Sequence, residues 1–154
     1  MLDGVVVLDC TGRLGWLAGR LLADLGAEVA KIEAPDADLQ SAEWRALNVN
    51  KRLLRLDLES GAGRAELDRL AAGADILLAT PAPGMPTAAL FDQARLSAIN
   101  PRLIVVAITP FGLTGPKAGW IASDLEIMAA SGAMSLAGEP GGTPLRVSAP
   151  QSHG

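Results

Sequence analysis

Short apolar runs alternate along this chain with stretches of helical periodicity, and glycine or proline marks most of the boundaries. The unbroken apolar run over residues 5–10 is typical of a strand that is covered on both faces. Leucines at helical spacing follow over residues 16–25, and Gly26 then ends the helix before a second apolar run over residues 28–32. This order predicts a right-handed βαβ unit within a larger parallel sheet.

The same alternation continues through the rest of the chain. Further strands are predicted over residues 53–58, 75–79 and 103–108, and helices over residues 41–47, 60–73, 88–99 and 123–131. Ser60 and Ser123 are suited to cap the helices that they precede. The pattern predicts an α/β domain with a parallel sheet and helices on both faces.

Loops rich in glycine or proline follow the first, fourth and fifth strands, where open α/β sheets bind ligands. The first loop contains Gly12, Arg13, Leu14 and Gly15 and can offer backbone N–H groups to a phosphate. Its spacing does not match G-x-G-x-x-G, so a turn that only lets strand and helix pack explains it equally well. Gly84 lies in the second loop, which three prolines make rigid.

Polar residues at strand ends are further candidates, each with a structural alternative. Glu33, at the end of the second strand, could bind a ribose hydroxyl as in dinucleotide-binding folds, or only cap the strand. Asp9 could meet a ligand or only hydrogen-bond the adjoining loop. Asn48 and Asn50 with Lys51 and Arg52 could fix a loop or hold an anion.

Composition narrows the class of protein. The chain has 154 residues, 49% of them hydrophobic, which predicts one globular domain over residues 1–154. The net charge of −4, with no basic cluster larger than Lys51-Arg52 and Arg55, argues against nucleic-acid binding.

No leader or apolar run of about 18 residues is evident, so a cytoplasmic protein without a membrane span is expected. A single cysteine, Cys10, indicates a buried apolar residue rather than a nucleophile, and one histidine argues against a metal site.

A set of motifs, taken in order, resembles the N-terminal half of the class III CoA-transferases. They are Leu8-Asp9, residues 22–29 (LADLGAEV), Lys31-Ile32-Glu33 with Pro35, residues 48–52 (NVNKR), residues 74–77 (ADIL), Pro83-Gly84, residues 100–103 (NPRL), Phe111-Gly112 and Gly115-Pro116. This family includes formyl-CoA and carnitine CoA-transferases and α-methylacyl-CoA racemases. The resemblance covers nearly the whole chain.

The resemblance implies a Rossmann-like sheet of six parallel strands, the sixth supplied from beyond a second domain, and a homodimer of interlocked rings. In such transferases an aspartate attacks the acyl-CoA thioester and forms a mixed anhydride with the acyl group. The CoA thiolate then forms an aspartyl-CoA thioester, which the acceptor acid finally resolves. CoA or acyl-CoA is then the expected ligand, without a metal. The candidate contacts are Gly12, Arg13, Leu14, Gly15, Lys51, Arg52, Thr80 and Gly84.

This sequence also departs from the family pattern. His153 occupies the position expected for the nucleophilic aspartate, and Ser123 that of the racemase histidine before Asp124. His153 and Asp124 are therefore the candidate catalytic residues, with a chain-terminal residue and a helix cap as the structural alternatives. Ala34 and Thr80 replace an arginine and an asparagine that the family usually places near the nucleotide.

These departures predict a CoA-transferase-like protein that handles acyl-CoA thioesters but is catalytically incomplete. The alternative is a non-catalytic assembly module that pairs with an active homologous subunit. Family members are more than twice as long, so we expect a fragment, a split subunit or a reduced relative. Its sheet would be incomplete without a C-terminal part, a homodimer or a different partner chain.

Overall fold

The computed structural model describes residues 1–146 and contains one sheet of five parallel strands in the order β3-β2-β1-β4-β5. The strands are β1 (Val6–Cys10), β2 (Glu28–Glu33), β3 (Arg52–Arg55), β4 (Ile76–Ala79) and β5 (Ile104–Ala107). The helices are α1 (Trp16–Asp24), α2 (Ala42–Leu47), α3 (Gly61–Ala71), α4 (Gln93–Ile99) and α5 (Asp124–Ala130). The predicted α/β architecture is confirmed, and the sheet is Rossmann-like.

Alternate residues of the central strands fill two cores, one on each face of the sheet. On one face Val7, Val29 and Leu78 are buried with Leu22 of α1 packed against them. On the other face the buried residues include Leu67 of α3. The unbroken apolar runs in the sequence therefore reflect strands that helices cover on both sides.

The predicted turn and cap signals are present at the helix ends. Gly26 has φ +100°, the left-handed conformation expected after α1. Ser60 Oγ accepts a hydrogen bond from Gly63 N at 3.0 Å, and Ser123 N donates to Glu126 Oε2 at 2.8 Å, which completes the start of α5.

Two predicted elements were wrong in detail. The helix expected over residues 88–99 is divided into a 3₁₀ turn, Ala88–Phe91, and α4, because Asp92 is extended and caps α4 through Arg95 N. The third strand was expected over residues 53–58, but β3 ends at Arg55, and Leu56 and Leu58 turn toward the sheet's carboxyl edge. Of the helices within residues 1–146, none has the length and apolar character needed to span a membrane.

Candidate functional site

A cavity of about 850 Å³ opens at the carboxyl edge of the sheet. The segments after all five strands contribute to its wall, which is mostly apolar. β1 lies at the centre of the sheet, and the chain continues from it to β2 on one side and later to β4 on the other. This arrangement creates the crevice where open parallel sheets bind ligands, in the place that the strand-end loops predicted.

The loops after β1 and β4 meet at the cavity. Gly12 N donates a 2.7 Å hydrogen bond to Thr80 Oγ1, so two predicted contact residues are brought together. Arg13 and Leu14 also line the cavity. Gly15 is buried in the turn that follows, where a Cβ atom would lie 2.6 Å from Thr11 Cγ2. The turn therefore requires glycine at this position.

Asp9 and Lys31 hold the loop after β1 from beneath. Thr11 donates to Asp9 Oδ1 through both its backbone N, at 3.0 Å, and its hydroxyl, at 2.6 Å. Lys31 Nζ donates to Thr11 O at 2.6 Å and forms an ion pair with Glu33 Oε1 at 3.1 Å. Asp9 therefore makes the hydrogen bonds to the adjoining loop that were one of its two predicted roles. The side chains of Asp9 and Lys31 are both buried.

Lys51 joins the same network instead of facing the cavity. Its ammonium donates to Asp9 Oδ2 at 2.7 Å, Asn48 Oδ1 at 2.8 Å and Trp16 O at 2.8 Å, and its side chain is 0% exposed. Burial lowers the pKa of Lys51, and the Asp9 carboxylate partly counters that shift. All three N–H bonds of this ammonium are committed to protein acceptors.

The other predicted residues are spread around the molecule. Arg52 is exposed on the edge strand β3, and Gly84 is exposed on the proline-rich loop, at φ +78°. Asp124 is the first residue of α5, 8% exposed, and does not line the cavity. His153 lies outside the described residues, so its predicted role remains a prediction.

Cys10 contributes its side chain to the cavity wall without being a reactive thiol. Burial raises the pKa of Cys10 from 9.0 to about 12, with the Asp9 and Glu33 charges adding to the shift, although the residue keeps partial solvent contact. The thiolate is the nucleophilic form, so this environment suppresses reactivity. Among residues 1–146 no three His, Cys, Asp or Glu side chains are grouped so that they could hold a metal ion.

The cavity wall also contains acidic residues, of which only Glu33 was named as a candidate from the sequence. Glu33, Asp36, Asp57 and Glu59 line it near the ends of β2 and β3, whereas Arg13 is the one basic residue of the described chain in the wall. Their chain positions are scattered, and only the parallel register of β2 and β3 brings them to one edge. The acid-rich segments after two neighbouring predicted strands were the available signal.

An aromatic cluster after β5 was also missed. Phe111 and Trp120 pack edge to face with ring centroids 6.0 Å apart, and Lys117 Nζ lies 5.6 and 5.3 Å from the two centroids. Trp120 lines the cavity, whereas Phe111 and Lys117 do not. The cavity thus has acidic residues from the segments after β2 and β3 and an aromatic side chain from the segment after β5.

A parallel sheet with a ligand-sized cavity at its switch point is typical of α/β proteins that bind small molecules. A family model described as CoA-transferase family III matches residues 2–152. The chain belongs to this family, as its sequence motifs indicated.

Similar proteins agree with that assignment. The chain is 36% identical to the succinyl-CoA:(R)-benzylsuccinate CoA-transferase subunit BbsE of Thauera aromatica, over 91% of this chain and 38% of the relative. It is 34% identical to the formyl-CoA:oxalate CoA-transferase of Streptomyces coelicolor, over 96% of this chain and 39% of the relative. The chain therefore spans about two fifths of the length of these relatives and corresponds to their N-terminal portion.

Solved structures show the same architecture. A CAIB/BAIF family protein from Brucella suis superposes with a TM-score of 0.84 at 33% identity, covering 96% of this chain and 43% of that one. The protein Rv3272 from Mycobacterium tuberculosis gives a TM-score of 0.83 at 33% identity, over 97% and 43% of the two chains.

Proposed function

We propose that this chain binds CoA and acyl-CoA thioesters in the cavity at the carboxyl edge of its sheet, as the CoA-binding part of a class III CoA-transferase. The observation that carries the proposal is the cavity itself, which is large enough for a nucleotide-sized ligand and lies at the switch point of a family member's sheet. Its apolar wall suits a pantetheine arm, and Arg13 is available at its rim for a phosphate.

Arg13 can exchange its present partner for a ligand at low cost. Its guanidinium is paired with Glu43 at 2.8 Å, and both side chains are about half exposed. An exposed pair of this kind contributes only about 0–1 kcal/mol. In contrast, Lys51 would have to leave three buried acceptors to reach a phosphate, so we assign it a structural role and Arg13 the ligand contact.

We further propose that the transfer chemistry is incomplete in this chain. The position that the family resemblance gives to the nucleophilic aspartate is His153, and an imidazole cannot form the same acyl anhydride as a carboxylate. Asp124 supports the start of α5, where a carboxylate complements the helix dipole. The chain then contributes ligand binding, and another carboxylate must supply covalent catalysis.

Calorimetric titration with CoA at millimolar concentration tests the binding proposal. At a CoA concentration about ten times the Kd, the folded state should gain about 1.4 kcal/mol, with a rise in Tm of a few degrees. Ala82 lines the cavity, so Ala82→Trp should weaken binding at least about tenfold by filling it. Ala94→Trp, at an exposed position on α4, is the matched control and should bind like the parent. Absence of any CoA-dependent signal in the parent would contradict the proposal.

The exposed face of β5 favours a second candidate function, the assembly module. β5 is an edge strand in the described part of the chain, and Ile104 and Val106 on its uncovered face are 58% and 37% exposed. Leu113 and Ile121 add exposed apolar surface beyond the strand. Large exposed apolar patches mark interaction surfaces, and one relative is itself named as a subunit.

Light scattering tests whether this surface associates. If the chain is an assembly module, it should self-associate at micromolar concentration or form a mixed dimer with an active homologous subunit. Ile104→Lys should disrupt either assembly. Glu28→Lys, at an exposed position on β2, adds a lysine away from the β5 face as a control. A folded monomer that forms neither assembly would contradict this candidate.

A further inference from the structure

The β2–β3 end of the cavity has an excess of negative charge. Asp36, Asp57 and Glu59 are exposed in the segments that follow these strands, and Glu33 lines the wall beside them. Glu33 is already neutralised in part, because it pairs with Lys31 and accepts from Trp44 Nε1 at 3.0 Å. The other three carboxylates form no ion pair within the described residues.

The cations nearest to this end are occupied by backbone carbonyls. Arg55 Nη1 donates to Ala34 O, Pro35 O and Ala37 O at 2.8, 3.1 and 3.0 Å. Arg64 similarly donates to Leu58 O and Glu59 O, both at 3.0 Å. Both guanidinium groups therefore hold the acidic segments in place.

Four other cations either have partners already or lie in other loops. Lys31 and Lys51 are in the buried network beneath α1, and Arg13 lies in the loop after β1. Lys117 lies in the segment that follows β5, and β5 is at the edge of the sheet opposite β3. A phosphate at the β2–β3 end would thus meet three carboxylates that have no ion-pair partner among the described residues, whereas the two guanidinium groups nearby already donate to backbone carbonyls.

The end of the second strand is where parallel nucleotide-binding sheets read the ribose. A carboxylate there accepts a hydrogen bond from a ribose hydroxyl, whereas a phosphorylated ribose needs a cation. A phosphate monoester carries about −1.5 to −2 charges at pH 7, so nearby carboxylates repel it. Ala34, exposed at this end, provides no charge of its own.

We propose that the β2–β3 end of the cavity accepts an unphosphorylated ribose, so that the site does not favour CoA over 3′-dephospho-CoA. This inference rests on the proposed CoA-binding function and concerns the specificity of the same cavity. Asp36, Asp57 and Glu59 are its specificity-determining residues. Screening by salt should relieve the repulsion of the 3′-phosphate, so the affinity for CoA relative to dephospho-CoA should rise with ionic strength.

Parallel calorimetric titrations with CoA and 3′-dephospho-CoA, at about 0.01 M and about 0.15 M ionic strength, test the proposal. We expect the low-salt Kd for CoA to equal or exceed that for dephospho-CoA. A CoA Kd more than about threefold below that of dephospho-CoA would overturn the specificity proposal and leave the CoA-binding function intact. Failure of both ligands to bind would instead overturn the proposed function.

An arginine placed at the acidic end gives the converse test. Ala34→Arg should improve binding of CoA about tenfold relative to dephospho-CoA, because the guanidinium can form a charge-assisted bond with the 3′-phosphate. Ala94→Arg adds the same charge at an exposed position on α4 and should leave the ratio unchanged. An unchanged ratio in a folded Ala34→Arg variant would show that the ribose phosphate lies elsewhere and would overturn the proposal.

Discussion

Replacing Lys51 with methionine should lower the free energy of unfolding by about 3 kcal/mol, near the lower end of the cost of breaking a buried ion pair. The substitution leaves Asp9, which is 0% exposed, without its 2.7 Å partner. Lys31 Nζ remains 3.8 Å from Asp9 Oδ1 and compensates part of the lost charge, which is why we expect the lower end. Urea denaturation followed by circular dichroism measures the change.

The neighbouring residue provides the control. Arg52→Met removes a charge from an exposed position on β3 and should change stability by less than about 0.5 kcal/mol. Adding Asp9→Asn to Lys51→Met should recover part of the loss, because the buried negative charge is then gone and one amide oxygen can still accept from Thr11. Equal stability of the Lys51→Met variant and the parent would show that the pair contributes nothing to the fold.

Local patterns in the sequence were sufficient for most of the fold. The apolar run that became β1, the glycine that ends α1 and the serine caps of α3 and α5 are all signals between near neighbours in the chain. Parallel topology then placed the loop after β1 and the loop after β4 at one edge. Gly12 was named from that loop position and Thr80 from the family resemblance, and the two are hydrogen-bonded to each other.

Contacts between distant segments could not be read in the same way. Asp9 and Lys51 are 42 positions apart, and only the folded sheet with α1 above it shows that this lysine is a buried partner of Asp9. In the sequence, Lys51 beside Arg52 in a polar turn could either fix a loop or hold an anion, and its neighbours in the chain do not decide between the two. The acidic end of the cavity has a similar origin, since it combines segments that follow two different strands. Such features depend on tertiary register, which single-sequence periodicity does not specify.

The division of the helix before β5 shows a third limit. Residues 88–99 have helical composition throughout, but Asp92 competes for a backbone N–H as a cap and is extended. The result is a 3₁₀ turn whose Ala88 and Phe91 line the cavity. A polar residue that is suited to capping can therefore begin a new helix inside an apparently continuous pattern.

Gly19→Ala should destabilise the protein by about 3 kcal/mol or more, although alanine is the better helix former by about 1 kcal/mol. Gly19 is buried in α1 directly above the ion pair. A Cβ atom there would lie 2.1 Å from Asp9 Oδ2 and 2.9 Å from Lys51 Nζ. Both groups are fixed by other hydrogen bonds, so α1 must move outward or the buried pair must separate. Urea denaturation of the variant measures the loss.

Gly61→Ala is the matched control, because Gly61 begins α3 and a Cβ atom there meets nothing within 4 Å. It should be neutral or slightly stabilising, so only Gly19→Ala is expected to lower the free energy of unfolding. If Gly19→Ala were also neutral, the close approach of α1 to Asp9 would not be required for the fold.

A destabilised Gly19→Ala variant that still folds should also bind CoA more weakly, because Asp9 holds Thr11 and with it the loop that carries Gly12 and Arg13 to the cavity.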